Sequence, residues 1–415
     1  MPPDPAAGAV LSFEDARHVV EEHATAVRVP EIVTVELLSA AGRVLAEDVI
    51  ADRDFPPFAR STRDGYAVRS ADLARLPATL RMIAEIKAGE MLDRIPENIA
   101  PGETAAIMTG APVPAGADSV VMVEYTSQRG ERVEVQRPTA KGENVVPRAA
   151  EARAGDVLLR RGLRLNERTI ALVASVGKAQ LQVYKRPRIA VLSTGDEVVR
   201  IDATPGPTQI RNSNSYSLAV QIQRRGGDPV LLPIAPDEKT ELRKLIEEGL
   251  KFDMMLLTGG VSMGRYDLVE QVLAELAAEF LFTGAKIQPG RPVVFGKWKH
   301  ASDTKYFFGL PGNPVSTMVT FELFAGPMLE ALAGQTPQKL RFLHARLKKN
   351  IRSKTGLTRF LPANLSGEFE RCEVELVAWH GSGDVAATGR ANCYLIVPPD
   401  REHIAAGEWV AVMLR

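Results

Sequence analysis

The sequence has few cysteines and no excess of charge of either sign. Its 415 residues include two cysteines, Cys372 and Cys393, and 51 basic residues against 51 acidic ones. Two cysteines cannot form a disulfide framework, and no Cys/His cluster has the spacing of a zinc site. We expect both cysteines to be buried thiols. A chain without net charge has no overall field that attracts nucleic acid or an anionic membrane, so both kinds of partner are disfavoured.

Long apolar runs and a leader pattern are also missing. No apolar stretch approaches the roughly 18 residues of a membrane span. The first residues, Met-Pro-Pro-Asp-Pro-Ala-Ala-Gly, lack the basic segment followed by an apolar one that marks a signal peptide. We therefore predict a cytoplasmic protein. Hydrophobic residues at 45% and charged residues at 25% are ordinary for a globular protein, and the length favours two to four domains.

Strand-like and helix-like patterns alternate between residues 188 and 334. Apolar strands separated by amphipathic helices predict a mostly parallel sheet with helices on both faces. In such sheets ligands bind beyond the carboxyl ends of the strands. The predicted strands cover 188–194, 229–234 and 253–258, and the predicted helices cover 213–225, 238–249 and 266–277, with a last helix from 314.

Three glycine-rich turns close strand-like runs in this region. An apolar run that ends in glycine and opens a helix presents bare backbone N–H groups, which bind anions. Carboxylates at the same edge would repel a phosphate unless a divalent cation lay between them. The pattern therefore predicts a phosphorylated ligand bridged by a metal ion. The turns are Ser193-Thr-Gly-Asp-Glu197, Thr258-Gly-Gly-Val-Ser262 and Leu310-Pro-Gly-Asn-Pro314.

Several of these residues also have structural interpretations. Glycine pairs occur in tight turns simply because they tolerate positive φ. Asp267 falls in the first turn of a predicted helix, and Asp237 is well placed to be a helix N-cap. Asp196 and Glu197 have no such role, and adjacent carboxylates by a glycine turn favour Mg²⁺. Gly259 to Tyr266 is not a phosphate-binding loop of a nucleotide triphosphatase, because Arg265 and Tyr266 replace its Lys and Ser/Thr.

The chain on either side of this region has a different character. Residues 45 to 147 are rich in proline and short β-like runs, which predicts a β-rich domain. Ser12 followed by Asp15 resembles a capping box and predicts a helix that starts at Ser12 and runs to His23. A second helix is predicted from Asn166 to Val176, and the two would pack together as a hub with the β-rich domain inserted between them. From about residue 340, short runs broken by Gly and Pro predict a small β barrel or sandwich.

Two further segments carry exposed-looking polar residues. Ser61-Thr-Arg-Asp64-Gly-Tyr66 crowds polar groups into a loop that leads into a strand, although Asp-Gly also suits a simple hairpin corner. Lys286 and Arg291 flank a Pro-Gly turn, where Arg291 can make bidentate contacts with an oxyanion or can equally be part of a solvated basic turn.

Taken in order, these segments resemble the molybdopterin molybdotransferase family, which includes MoeA and the E domain of gephyrin. The resemblance covers nearly the whole chain, and the ordered set is far more specific than any single motif. The matching segments are Ser61–Val68, Met108–Asp118, Ser193–Glu197, Arg211–Asn214, Thr258–Ser262, Pro289–Pro292 and Leu310–Ser316.

The resemblance implies an elongated, multidomain homodimer of α/β and β domains. It implies a split helical hub (1–45 and 148–185), an inserted β-rich domain (46–147), a doubly wound, MogA-like α/β domain (186–334) and a C-terminal β-barrel domain (335–415). It further implies insertion of molybdate into adenylylated molybdopterin, with Mg²⁺-dependent cleavage of the phosphoanhydride that releases AMP. A MogA-type adenylyltransferase is the implied partner.

The resemblance and the turns together give a set of candidate site residues. Asp64, Thr109, Glu197, Asp237 and Asp267 match active-site positions of the family. Asp196, Glu197 and Asp267 are the candidate metal ligands. The candidate substrate-binding residues are Ser61, Thr194, Gly195, Gly259, Gly260, Ser262, Lys286, Arg291, Pro311, Gly312, Asn313, Pro314 and Ser382, the last of which the family implies can face the partner subunit.

The sequence departs from the family pattern near the predicted anion site. Gly284 and Gln288 stand where lysines are frequent, and Arg291 replaces a common lysine. Two alternatives stay open at this stage. One is a pterin-nucleotide binding or scaffolding protein of the same fold without catalysis, against which Asp64, Glu197 and Asp267 argue. The other is a different nucleotide-processing hydrolase built on the same α/β domain.

Overall fold

The computed structural model describes residues 9–260, 268–300, 303–368 and 371–414. The chain forms two compact units. The first unit comprises Met1–Ala46, Gly162–Asn166 and Leu181–Arg415, and the second comprises Glu47–Arg161 and Glu167–Gln180. The described α-helices are α1 (Phe13–Thr25), α2 (Glu167–Ser175), α3 (Asn214–Arg224), α4 (Lys239–Gly249), α5 (Leu268–Glu275), α6 (Pro314–Thr320), α7 (Gly326–Leu332) and α8 (Val385–Arg390).

A six-stranded sheet forms the centre of the first unit. Its first four strands run parallel, the fifth runs antiparallel to them, and the sixth is antiparallel to the fifth, which confirms the mostly parallel sheet. The middle strand Met254–Thr258 is buried at all five positions, as expected for a strand covered on both faces. In spatial order the strands are Asp228–Leu231, Arg188–Ser193, Met254–Thr258, Asp303–Leu310, Val294–His300 and Glu279–Phe282.

Helices cover both faces of this sheet. Leu242 and Ile246 of α4 and Val272 of α5 pack on one face. Helices α1, α3, α6 and α7 pack on the other, where Phe13 of α1 makes edge-to-face contacts with Phe324 and Phe360. The two apolar layers hold the sheet between them, so the strand ends are fixed in place.

Helices α6 and α7 form one continuous apolar run through a π-helical stretch, Phe321–Ala325. This run, Pro314–Leu332, is long and apolar enough to cross a membrane by length and composition alone, with a mean hydropathy of 1.2. The sequence prediction that no such stretch exists overlooked it. The run lies against the sheet, and 72% of it is buried, so packing in the core accounts for its apolar character.

The N-cap residues of α1 and α4 can be compared with the residues that the sequence predicted. Ser12 caps α1, because its hydroxyl accepts a hydrogen bond from the Asp15 amide over 3.0 Å. Helix α4 is capped by Glu238, whose carboxylate accepts from the amides of Thr240 and Glu241. The interpretation of Asp237 as the N-cap is therefore wrong. Helices α1 and α2 belong to different units, and their packing as a hub stays a prediction.

The second unit is built on a six-stranded sheet, as the β-rich pattern predicted. Tyr66, Leu80 and Val133 pack on one side of it, and Ile86 and Ile107 pack on the other. In spatial order its strands are Ser119–Met122, Gly65–Val68, Glu103–Ile107, Ala78–Ile86, Arg132–Val135 and Thr126–Arg129.

The C-terminal region closes into a five-stranded barrel. The strand Thr358–Ser366 pairs with Glu373–Leu376 on one side and with Cys393–Val397 on the other, which closes the series into a barrel. Cys393 is buried inside, whereas Cys372 is only half-buried. The barrel strands in spatial order are Thr358–Ser366, Glu373–Leu376, Leu343–Leu347, Trp409–Leu414 and Cys393–Val397.

Candidate active site

Three glycine turns meet at the carboxyl edge of the parallel strands. The strands ending at Ser193, Thr258 and Leu310 are neighbours, and the Thr194 amide donates to the Thr258 carbonyl over 3.0 Å. Gly259 has a φ of +90°, and a Cβ there would lie 2.5 Å from the Thr194 carbonyl oxygen. Only glycine allows this approach of two backbones. The sequence prediction that the turns share one edge is confirmed.

The turns enclose a cavity of about 370 Å³ within the first unit. Its wall combines backbone, hydroxyl and amide groups with apolar surface from Val198, Ile210 and proline rings. Among the described residues, Glu197 is its one carboxylate and Arg211 its one cation. Such a wall can bind a polar heterocycle through hydrogen bonds and an anion through backbone N–H groups. The predicted site residues that line it are Thr194, Glu197, Gly259, Gly260, Pro311, Gly312, Asn313 and Pro314.

Asn214, to which the sequence analysis gave no role, connects two of these turns. Its side-chain amide donates to the Thr258 hydroxyl over 2.9 Å and to the Gly312 carbonyl over 2.7 Å. Within the part of the chain that the structure describes, its own Oδ1 is buried without a hydrogen-bond partner. The signal was the segment Arg211–Asn214, which carries polar side chains at the start of a helix. The other lining polar residues that were not assigned are Ser193, Arg211, Asn212, Ser213 and Thr258.

A buried hydrogen-bond network fixes this segment. The Ser193 hydroxyl donates to Asn212 Oδ1 over 3.1 Å and lies 2.8 Å from the Ser215 hydroxyl. The Ser215 amide also donates to Asn212 Oδ1. Because buried polar groups that are fully paired are held in one geometry, this network orients the first turn of α3 toward the cavity.

The acidic residues lie around the first turn. Gly195 has a φ of +128°, and a Cβ there would overlap the carboxylate of Glu197, which folds over that glycine. Asp196 Oδ1 accepts a hydrogen bond from the Asp237 amide over 3.1 Å, so these two residues are neighbours although neither lines the cavity. Asp267 and Ser262 lie outside the described residues.

The donor set is compatible with Mg²⁺ but does not form a closed protein cage. Within the described ranges, no group of three or more His, Cys, Asp and Glu converges in a way that could hold a metal ion. Magnesium is commonly held by one or two carboxylates together with ligand phosphates and water, and it needs no such cage. Glu197 and Asp196 supply oxygen donors next to backbone amides that suit a phosphate, so the residues present fit the ion.

The predicted cations and Ser382 lie around the cavity rather than in its wall. Lys286 and Arg291 are exposed and do not line it, although Pro292 does. Ser382 is hydrogen-bonded within its own chain: its hydroxyl accepts from Asn313 Nδ2 over 2.9 Å, and its carbonyl accepts from the Val315 amide over 3.0 Å. The C-terminal region therefore supports the proline turn of the same chain.

The second unit contains the other predicted group. Asp64 Oδ1 accepts hydrogen bonds from the backbone amide of Thr109 over 2.6 Å and from its hydroxyl over 2.9 Å. The bond from the Thr109 amide has the larger effect and the bond from its hydroxyl the smaller, and both lower the pKa of Asp64 and keep it ionised. Ser61 is buried, and its hydroxyl donates to the Arg63 carbonyl, so it shapes the loop.

Three family models together match most of the chain. They are the MoeA N-terminal region (domains I and II) over residues 11–177, a probable molybdopterin binding domain over 190–331, and the MoeA C-terminal region (domain IV) over 344–414. The middle model covers the sheet and the three glycine turns that form the cavity.

Full-length relatives and solved structures agree with these models. The chain is 35% identical over 389 residues to a molybdopterin molybdenumtransferase of Nostoc sp., covering 91% of this chain and 88% of the relative. It is 32% identical over 390 residues to one of Bacillus subtilis, covering 92% and 89%. One MoeA structure from Pyrococcus horikoshii covers 98% of this chain and 100% of that protein, with a TM-score of 0.77 and 27% identity. A second MoeA structure from the same organism covers 98% of this chain and 99% of that protein, with a TM-score of 0.70 and 32% identity. The predicted family is confirmed: the chain belongs to the MoeA family of molybdopterin molybdenumtransferases.

Proposed function

We propose that this chain is a molybdopterin molybdenumtransferase that inserts molybdate into adenylylated molybdopterin and releases AMP. The relatives that it matches along nine tenths of its length carry that enzyme name. The observation that carries the proposal is the cavity that joins Glu197 to Thr194 and to the turns 259–260 and 311–314. A ligand with a pyrophosphate link and a polar ring needs both parts of this wall.

Each part of the cavity has a task in this proposal. The backbone N–H groups of the glycine turns bind the phosphate oxygens, and the amide and hydroxyl side chains near Asn214 orient the rest of the ligand. Asp196, Glu197 and Asp267 hold Mg²⁺, which supplies charge neutralisation at the phosphoanhydride when bound. Asp237 shapes this carboxylate group from beside Asp196.

The remaining predicted residues support the site from around it. Lys286 and Arg291 attract the anionic substrates, Ser382 holds Asn313, and Asp64 with Thr109 provides a fixed ionised carboxylate in the second unit. We further propose that the protein is a cytoplasmic homodimer, and that it receives its substrate from a MogA-type adenylyltransferase. Sedimentation of the purified protein tests the dimer: a monomer at micromolar concentration contradicts it.

The decisive experiment measures AMP released from adenylylated molybdopterin. We expect release only when molybdate and Mg²⁺ are both present, and loss of release when a chelator removes the metal. Substrate binding without AMP release under all conditions would instead support the scaffold alternative. AMP release that is independent of molybdate, with comparable cleavage of ADP-ribose, would support the general hydrolase.

A further inference from the structure

A second and larger cavity lies at the opposite edge of the same sheet. Its volume is about 920 Å³. Arg188 begins one parallel strand, Asp253 precedes the next, and Asp303 begins the third, so the cavity opens at the amino ends of these strands. A strand of six residues separates it from the candidate active site by roughly 20 Å. The segment that follows α1, residues 26–31, forms its other wall.

Basic side chains dominate the wall of this cavity. Six basic residues line it against three acidic ones, Glu31, Asp253 and Asp303, an excess of three positive charges among the lining residues. Two of the six cations also pair with carboxylates outside the lining, Arg186 with Asp228 and Lys251 with Glu248. The whole chain has 51 basic and 51 acidic residues, so this excess is a local concentration in a neutral protein. We call this cavity the basic groove. Its basic residues are Arg28, Lys185, Arg186, Arg188, Lys251 and Lys305.

The acidic residues of the groove bind its cations only loosely. Arg28 lies 3.6 Å from Asp303, with 85% of the arginine side chain exposed, and Lys305 lies 3.9 Å from Asp253. Lys185 contacts Glu31 over 2.7 Å, but both side chains are more than half exposed. The exposed pairs of Arg28 and Lys185 contribute about 0–1 kcal/mol each. The Lys305 side chain is only 18% exposed, but its 3.9 Å separation from Asp253 is too long for a hydrogen bond. An incoming anion with several charges can therefore displace the carboxylates at little cost.

Arg188 has a guanidinium that can still form hydrogen bonds to a ligand. Its guanidinium stacks 4.7 Å above the ring of Phe252, and within the described residues it forms no ion pair. Stacking holds the guanidinium plane while its edge N–H groups stay free to form the two parallel bonds that suit a phosphate. Pro187, Phe252 and the buried ring of Tyr306 give the groove an apolar floor.

We propose that the basic groove binds a small molecule that carries a pyrophosphate or longer phosphate chain. Several cations line one open groove, and a volume below about 1,000 Å³ fits a small ligand. The guanidinium fork recognises phosphate better than it recognises an isolated carboxylate of a flexible chain. An acidic peptide is the competing occupant, and it is an outcome of the test. This site is separate from the proposed transferase site and does not depend on it.

The test measures binding of inorganic pyrophosphate and of ADP to the full chain by calorimetry. EDTA is present throughout, so that binding through Mg²⁺ at the carboxylates of the active site is suppressed. We expect saturable binding that weakens as salt rises. Tighter binding of ADP than of pyrophosphate identifies a nucleotide as the preferred source of the phosphates, and equal binding identifies the free phosphate chain. A poly-glutamate peptide that binds more tightly than either overturns the proposal in favour of a protein-docking surface.

Substitutions of the basic residues of the groove test whether the ligand binds there. Arg188→Gln is expected to weaken binding about tenfold, the loss that corresponds to one hydrogen bond to a charged group. Because Arg188 also packs on Phe252, the double variant Arg28→Gln/Lys251→Gln, with two highly exposed side chains, provides a second measurement without disturbing the core.

The matched control is Arg211→Gln, which removes a cation from the other cavity and is expected to leave metal-free binding unchanged. AMP release is measured for the two groove variants and not for Arg211→Gln. We expect the groove variants to release AMP at the rate of the unmodified protein. If Arg211→Gln abolishes binding while both groove variants bind normally, the phosphate site is not the basic groove. The absence of any saturable binding also contradicts the proposal.

Discussion

Thr109 donates two hydrogen bonds to a single carboxylate oxygen of Asp64, one from its backbone amide and one from its hydroxyl. The loop that carries Asp64 and the loop that carries Thr109 are 45 residues apart in the chain. The loop of Asp64 presents the charge, and the loop of Thr109 holds it in place.

This pair makes a prediction about pH. The Thr109 bonds lower the pKa of Asp64, so their stabilisation is fully present above the unfolded-state pKa, near 3.9, and is lost as pH falls through the folded-state pKa. Thr109→Val keeps the amide bond and removes the hydroxyl bond, so it should raise the pKa of Asp64. NMR titration of the Asp64 carboxyl group measures this change.

The control for this prediction is Thr79→Val, at an exposed strand position of the same unit outside the Asp64–Thr109 pair. It should leave the titration of Asp64 unchanged. An identical pKa of Asp64 in Thr109→Val and in the unmodified protein would show that the hydroxyl bond is not formed in solution.

Gly195→Ala should impair the active site in a specific way. The added methyl group would overlap the carboxylate of Glu197, and the φ of +128° disfavours any residue with a side chain. Strain of this kind costs about 1–3 kcal/mol. We expect a lower melting temperature together with at least a tenfold loss of AMP release.

The control that separates strain from contact is Gly356→Ala. Gly356 has a φ of +94°, and a Cβ there would meet nothing within 4 Å. It should lower the melting temperature and leave AMP release unchanged. If the two variants lost the same fraction of activity, backbone strain alone would explain the loss in Gly195→Ala, and displacement of Glu197 would not be needed.

Asn214→Asp should loosen the cavity. The variant replaces an amide that donates to the Gly312 carbonyl and the Thr258 hydroxyl with a group that repels the carbonyl oxygen. Losing two such bonds should destabilise the protein by about 1–3 kcal/mol, measured by urea unfolding, and should raise KM in the AMP-release assay. Asn364→Asp, at an exposed position of the barrel, is the control and should change neither quantity. An unchanged KM would remove Asn214 from the site.

Glu197→Gln should weaken the dependence on Mg²⁺ without unfolding the protein. The amide keeps the shape of the side chain and removes its negative charge, so a higher Mg²⁺ concentration should be needed for half-maximal AMP release, and maximal turnover should fall about 100-fold. Glu402→Gln, at an exposed position, serves as the control. Normal Mg²⁺ dependence in Glu197→Gln would contradict its assignment as a metal ligand.

Local sequence signals predicted much of the fold. The apolar strands, the cap Ser12 and the glycine turns follow from local rules, because burial on two faces, a free N-terminal amide and positive φ each demand particular residue types. The same rules misplaced the cap of α4. Asp237 and Glu238 are both acidic and adjacent, and only the backbone geometry decides which carboxylate reaches the amides.

The amino-acid sequence by itself determined that three glycine turns end three parallel strands and that carboxylates accompany the first of them. It also determined the family, through an ordered set of short motifs. Only the tertiary structure decided that Asn214 joins two turns, that Ser382 holds the proline turn of its own chain, and that six scattered cations share one groove. Those relationships join residues far apart in the chain, and local patterns carry no information about the distances between them.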